Sequence, residues 1–164
     1  MRNRKKHTLY IVLISSLSLF FLNSCSEDNA EKALKLALAE LVSAVENKQY
    51  RSVTQKLTTH FRGNKRLNQQ TMSALVFRYT LRHKFVKIYT VVNTIEVAKD
   101  KKEANMLFHT LLTGTKSTLP EHMRAFRVQS HWLKADNEWK IKEANWIEVQ
   151  AQTVYPRIKN NAQI

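Results

Sequence analysis

Phe126-Arg127-Val128-Gln129-Ser130-His131-Trp132, followed after Leu133-Lys134-Ala135 by Asp136-Asn137-Glu138-Trp139-Lys140-Ile141 and then Ala144-Asn145-Trp146, is the stretch from which the fold is read. Phe126, Val128, Ser130 and Trp132 alternate with Arg127, Gln129, His131 and Leu133, a period of two that belongs to a strand. Asp136-Asn137 reads as a turn, and 139–149 returns as the last strand. Working upstream, Ala104, Met106, Phe108, Thr110 and Leu112 alternate with Asn105, Leu107, His109 and Leu111, which gives a strand with two substantially apolar faces. Residues 85–98 are rich in Val, Ile, Thr and Tyr and predict a long strand. Lys99-Asp100-Lys101-Lys102 is a charged turn, and 114–121, with Pro120, is a longer connection.

Before Phe85 the period is helical. Leu34, Leu38, Leu41 and Val45 form one apolar stripe, and the capping-box spacing of Asp28 and Glu31 places the start of that helix. Tyr50, Val53, Leu57 and Phe61 predict a second helix over about 49–60. A third is predicted over about 69–83, with Met72, Leu75, Val76 and Tyr79 on one face and Arg78 and Arg82 together on another. Three helices followed by four antiparallel strands predict an α+β fold, with the N-terminal helices packed on one face of a strongly bent, cone-like antiparallel sheet.

The aromatic hairpin resembles the end of nuclear-transport-factor-2-like domains, also described as cystatin-like cones. Those domains have a helical first half and a bent sheet, and often carry Gly in the corresponding turn. Asn137 takes that place here, which Asn can do because it tolerates left-handed backbone angles. The resemblance covers about 30–149. It implies the fold and leaves the function open, because one cone serves enzymes, binders and assembly subunits.

The N-terminus carries an address. Arg2, Arg4, Lys5 and Lys6 precede the uncharged, mostly apolar run 9–22, which is shorter than the roughly 18 to 20 residues a spanning helix needs. Leu22-Asn23-Ser24-Cys25 resembles the lipobox of bacterial lipoproteins. The resemblance implies a cleaved signal peptide at 1–24, lipid attachment at Cys25 and a lipidated tether over 25–29. The domain would then span 30–150 and a C-terminal tail 151–164. Cys25 is the single cysteine, so no disulfide staples the fold. Ser26, where an Asp would imply inner-membrane retention, favours the outer membrane facing the periplasm.

Charge is unevenly distributed. The chain carries +14 overall, yet 48–87 holds ten basic residues and no acidic one. Arg62, Lys65, Arg66, Arg78, Arg82, Lys84 and Lys87 are the candidates for contact with an anionic surface: acidic lipid, lipopolysaccharide or an acidic envelope protein. Nucleic acid is disfavoured by the envelope address. Leu107, Leu111 and Leu133, if they share an exposed sheet face, suit pairing with a second copy as a homodimer.

Catalysis is the alternative to binding or assembly. The ketosteroid-isomerase-like branch of the resembled family sets an acidic base against an acidic or phenolic donor inside the cone. No such residue carries over here. Tyr79, Tyr89, His109 and Glu143 are the candidate cavity residues, with His83 as a further partner, and ordinary core or strand roles are favoured for them. No histidine pair has helix-face metal spacing, no phosphate-cradling glycine loop is present, and neither a metal nor a cofactor is implied. Trp132, Trp139 and Trp146 are expected to fill the sheet core.

Overall fold

The computed structural model describes residues 25–64, 66–115, 122–152 and 154. The predicted signal, Lys65 and the last ten residues of the predicted tail lie outside them.

The described chain runs α1 (Cys25–Glu46), α2 (Tyr50–Gln55), β1 (Leu57–Gly63), α3 (Gln69–Arg82), β2 (Phe85–Val97), β3 (Glu103–Thr115), β4 (His122–Ala135) and β5 (Glu138–Val149). The strands form one mixed sheet in the order β1-β5-β4-β3-β2, with β1 parallel to β5 and the remaining pairs antiparallel. The α+β architecture is as expected, with one strand more and two shifted boundaries.

The extra strand is β1, where a helix over about 49–60 was expected. Val53, Leu57 and Phe61 are all buried, so the apolar stripe is real. Leu57 and Phe61 are four apart, however, and an even spacing of four puts side chains on one face in a strand as well as in a helix. The helix stops at Gln55, and β1 lies beside β5 with Leu57 opposite Ile141 and Gly63 opposite Ala144. The other shifts are at the ends. α1 already begins at Cys25, ahead of the start expected from Asp28 and Glu31, so 25–29 is helical. After β5 the chain turns helical, and Val154 is buried against Val91, Leu111 and Ala125, which carries the folded unit past residue 150.

The β4–β5 turn confirms the reading of Asn137. Ala135 pairs with Glu138, and the two residues between them, Asp136 and Asn137, have φ of 52° and 63°. Positive φ at both positions matches the twist of the flanking strands. Register shifts between Val92 and Thr94 in β2 and between His131 and Trp132 in β4 mark irregularities, which increase twist and bend the sheet.

The sheet separates two apolar clusters. On the inner face, Leu34, Ala37 and Leu38 of α1 pack with Phe61, Met106, Trp132, Trp139 and Ile141. Trp132 and Trp139 are thus core residues as expected, while Trp146 is half-buried at its edge. On the outer face, Val154 covers Val91, Leu111 and Ala125. Leu111 is therefore not available for pairing between copies, unlike half-buried Leu107 and Leu133. All residues of both clusters fall between 30 and 154, so a chain starting at Ser26 keeps the whole described core and is a folding unit in itself.

Candidate functional site, a basic cleft under the third helix

α3 is placed by polar contacts on its inner side. Asn68 Oδ1 accepts from Thr71 N at 2.9 Å while Asn68 N donates to Thr71 Oγ1 at 2.8 Å, a reciprocal cap that fixes where the helix starts. Gln69 Nε2 donates to the carbonyls of Thr54 and Leu57, Ser73 meets Thr54 at 2.9 Å, and Thr80 meets the Tyr50 hydroxyl at 3.0 Å. The last turn is tied down where Lys48 Nζ donates to the His83 carbonyl at 3.2 Å.

With that side engaged, the opposite arc of α3 faces solvent. It carries Leu75, Phe77, Arg78, Leu81 and Arg82, and Leu81 is 64% exposed. Phe85 and Lys84 continue the surface, the ammonium lying 5.3 Å from the ring centre. Among the described residues no carboxylate pairs with Arg78, Arg82 or Lys84. Two other basic candidates are engaged: Lys87 pairs with Glu46 at 3.1 Å and Arg62 with Glu143 at 3.7 Å. Arg66 is exposed in the turn between β1 and the start of α3. The basic segment is thus divided: Arg78 and Arg82 share one helix face with Lys84 just beyond it, while Arg51 and Arg66 are exposed elsewhere.

Between the second half of α3 and the start of β4 lies an open cleft of about 490 Å³, lined by Leu75, Arg78, Tyr79, Arg82, His83 and Arg124. Gly114 lets helix and sheet approach here, because a Cβ at that position would stand 2.7 Å from both the Tyr79 hydroxyl and His83 Nδ1. The Tyr79 and His83 rings lie 4.5 Å apart, and His83 Nδ1 is buried with no hydrogen-bond partner among the described residues. Arg124 donates to Glu148 through Nε at 2.9 Å and Nη2 at 2.6 Å, and stands 5.1 Å over the Phe126 ring. The paired hydrogen bond holds the Glu148 carboxyl below its usual range and raises Arg124. Burial pushes the Tyr79 phenol up, against a smaller downward pull from Arg124. The phenol therefore stays protonated at neutral pH and can donate a hydrogen bond.

The four cavity candidates do not converge. Tyr79 lines the cleft. Tyr89 is opposite Leu111, on the outer face, and 47% exposed. His109 is on that face too, 2.6 Å from Asn93 Oδ1. Glu143 also lies there, accepting from Asn145 at 2.9 Å in a separate depression of about 550 Å³ that His131 and Asn105 share. The sheet stands between these three and Tyr79, because paired residues share a face and faces alternate along each strand. Arg124 is the cleft residue that sequence reasoning missed. Among the described residues no group of three or more His, Cys, Asp or Glu could hold a metal ion.

No family model matches the chain, and no curated protein matches it in sequence. Solved structures do match in shape. The Bdellovibrio bacteriovorus protein Bd1075 aligns at TM-score 0.63 and 15% identity over 79% of this chain and 44% of its own, so this chain spans less than half of it. A domain of unknown function with a cystatin-like fold from Nostoc punctiforme aligns at TM-score 0.60 and 11% identity, over 83% of this chain and 87% of that one. A ketosteroid isomerase-like protein from Erwinia carotovora atroseptica aligns at 0.55 and 11%, over 73% and 95%. At such identities the likeness shows the fold alone: a cystatin-like, nuclear-transport-factor-2-like cone.

Proposed function

We propose, from the basic start, the apolar run 9–22 and the box Leu22-Asn23-Ser24-Cys25, that the chain is a lipid-anchored protein of the bacterial cell envelope, held at the outer membrane on the periplasmic side. In this reading it acts as a binding module that rests on an anionic surface. The observation that carries it is the solvent-facing arc of α3, where Leu75, Phe77 and Leu81 are interleaved with Arg78 and Arg82 and no carboxylate pairs with either among the described residues. Apolar side chains at that height can enter the headgroup boundary while the arginines reach outward to phosphates. Stable attachment by acyl chains takes a second signal beyond one chain, and such a basic, apolar face adds to the anchor at Cys25.

A protein comprising residues 26–164 is expected to sediment with anionic vesicles at low salt and to release as salt rises, because exposed charges are screened beyond about 8 Å at physiological ionic strength. Each basic residue near such a surface contributes about 1 kcal/mol. Arg78→Gln with Arg82→Gln should therefore weaken association roughly tenfold or more, whereas Lys140→Gln with Lys142→Gln should do less. Equal behaviour of the two double variants would reduce the helix face to a solvated one.

The second reading is an enzyme of the ketosteroid-isomerase-like branch. The stacked Tyr79–His83 pair in the cleft and the structural likeness to a ketosteroid isomerase-like protein favour it. Against it, no acidic residue among the described residues lines the cleft, and Glu148, on the neighbouring strand, is already bound by Arg124. An acidic base of that branch has no counterpart there among the described residues.

A further inference from the structure

We propose that the cleft under α3 binds a single anionic amphiphile, its oxyanion head among Arg78, Arg82 and Arg124 and its apolar part along Leu75 and the Tyr79 ring. This goes beyond contact with a membrane surface, although Arg78 and Arg82 serve both.

The first argument is charge. Three guanidinium groups line the cleft, and Glu148 is the one carboxylate bound to any of them among the described residues. Arg124 is held in place by that bidentate pair, which leaves Arg78 and Arg82 without a fixed counter-charge on the cleft rim. Guanidinium forks recognise carboxylate and phosphate in two-point fashion, so the unmatched charge is of the kind an oxyanion meets. The second argument is polarity at the wall. A protonated Tyr79 hydroxyl offers one donor. His83 Nδ1 is buried and unpartnered among the described residues, and a buried polar group without a partner calls for an explanation such as a ligand or water. Gly114 keeps both groups where they are, since any side chain there would displace them. The third argument is size and apolar surface. About 490 Å³ falls within the range of small-molecule pockets and exceeds the need of an isolated inorganic anion. Leu75 and the Tyr79 ring line the wall, so a short acyl or alkyl chain meets apolar surface inside the cleft.

The oxyanion could be a fatty-acid carboxylate or the phosphate of a lipid, and the two sources are separable. Residues 26–164 would be titrated calorimetrically with decanoate, decyl phosphate, decanol and inorganic phosphate, each below its aggregation concentration. Decanoate and decyl phosphate are expected to bind, with decanol and inorganic phosphate at least tenfold weaker. The stronger of the two anions names the source. Arg124→Gln, which removes an exposed side chain and should barely change the unfolding midpoint, is expected to weaken the better anion at least tenfold. Gly114→Ala, by displacing Tyr79 and His83, should do the same. Neither position lies on the solvent-facing arc of α3, so vesicle association should be unchanged in both. Leu81→Gln with Phe85→Gln should show the opposite pattern. Decanol binding as well as decanoate, or Arg124→Gln binding like the parent, would overturn the cleft assignment. Decanoate binding by a parent protein that does not associate with anionic vesicles at low salt would overturn the surface reading instead.

Discussion

Replacing Trp132 with alanine is expected to lower unfolding stability by about 3 to 5 kcal/mol. Its side chain is fully buried towards the C-terminal end of β4, between Ala104 of β3 and Ile141 of β5, and it faces the helices as part of the inner cluster. The indole Nε1 donates to Ser130 Oγ at 2.8 Å, and that hydroxyl donates onward to the Met106 carbonyl at 3.2 Å. Truncation leaves the Ser130–Met106 bond in place, so the loss is one of packing and of a cavity that the β-sheet cannot close. Domains of this size are stable by about 5 to 15 kcal/mol, so the change removes a large part of the total. Trp146→Ala, at a half-buried site, should cost less. Urea unfolding of both variants at an unchanged slope checks the order. A near-neutral Trp132→Ala would mean that the helices do not cover this face.

Cys25→Ala is expected to abolish incorporation of a labelled fatty acid and to leave the longer precursor in place. The chain has one cysteine, so no other thiol can take over. Burial of each CH2 contributes about 0.8 kcal/mol, and an unacylated protein should partition to the soluble fraction unless the uncleaved apolar run holds it. Equal labelling of variant and parent would remove the lipoprotein reading while leaving the cone and its cleft untouched.

Most of the fold was legible because the strand signals are redundant. In the last hairpin the alternation of Phe126, Val128, Ser130 and Trp132, the Asp136-Asn137 turn and the returning aromatic residues agree with one another, and the observed register follows. β1 was not legible because Leu57 and Phe61 satisfy a helical and an extended period alike. The β-branched pair Thr58-Thr59 was the available hint. The site was legible in part. Helical spacing placed Arg78 and Arg82 together and Tyr79 on another side, and all three line the cleft. Alternation says that residues share a sheet face but not which face the helices cover, so Tyr89, His109 and Glu143 fell on the wrong side of the sheet from Tyr79. Arg124 stood alone in sequence. Counting outward from the two-residue turn would have brought its neighbour Phe126 opposite Glu148 only after allowing for the irregularity at His131 and Trp132.

Contact between the solvent-facing arc of α3 and an anionic surface is read directly by a label placed on that arc. Residues 26–164 contain no cysteine, so Leu81→Cys and, on the outer sheet face, Gln129→Cys each accept a single polarity-sensitive fluorophore. With anionic vesicles at low salt, the label at position 81 should shift to the blue and become shielded from a water-soluble quencher, while the label at 129 keeps its aqueous emission. Both effects at position 81 should reverse on adding salt. Aqueous emission at both positions, or equal shielding of the two, would contradict the proposed orientation.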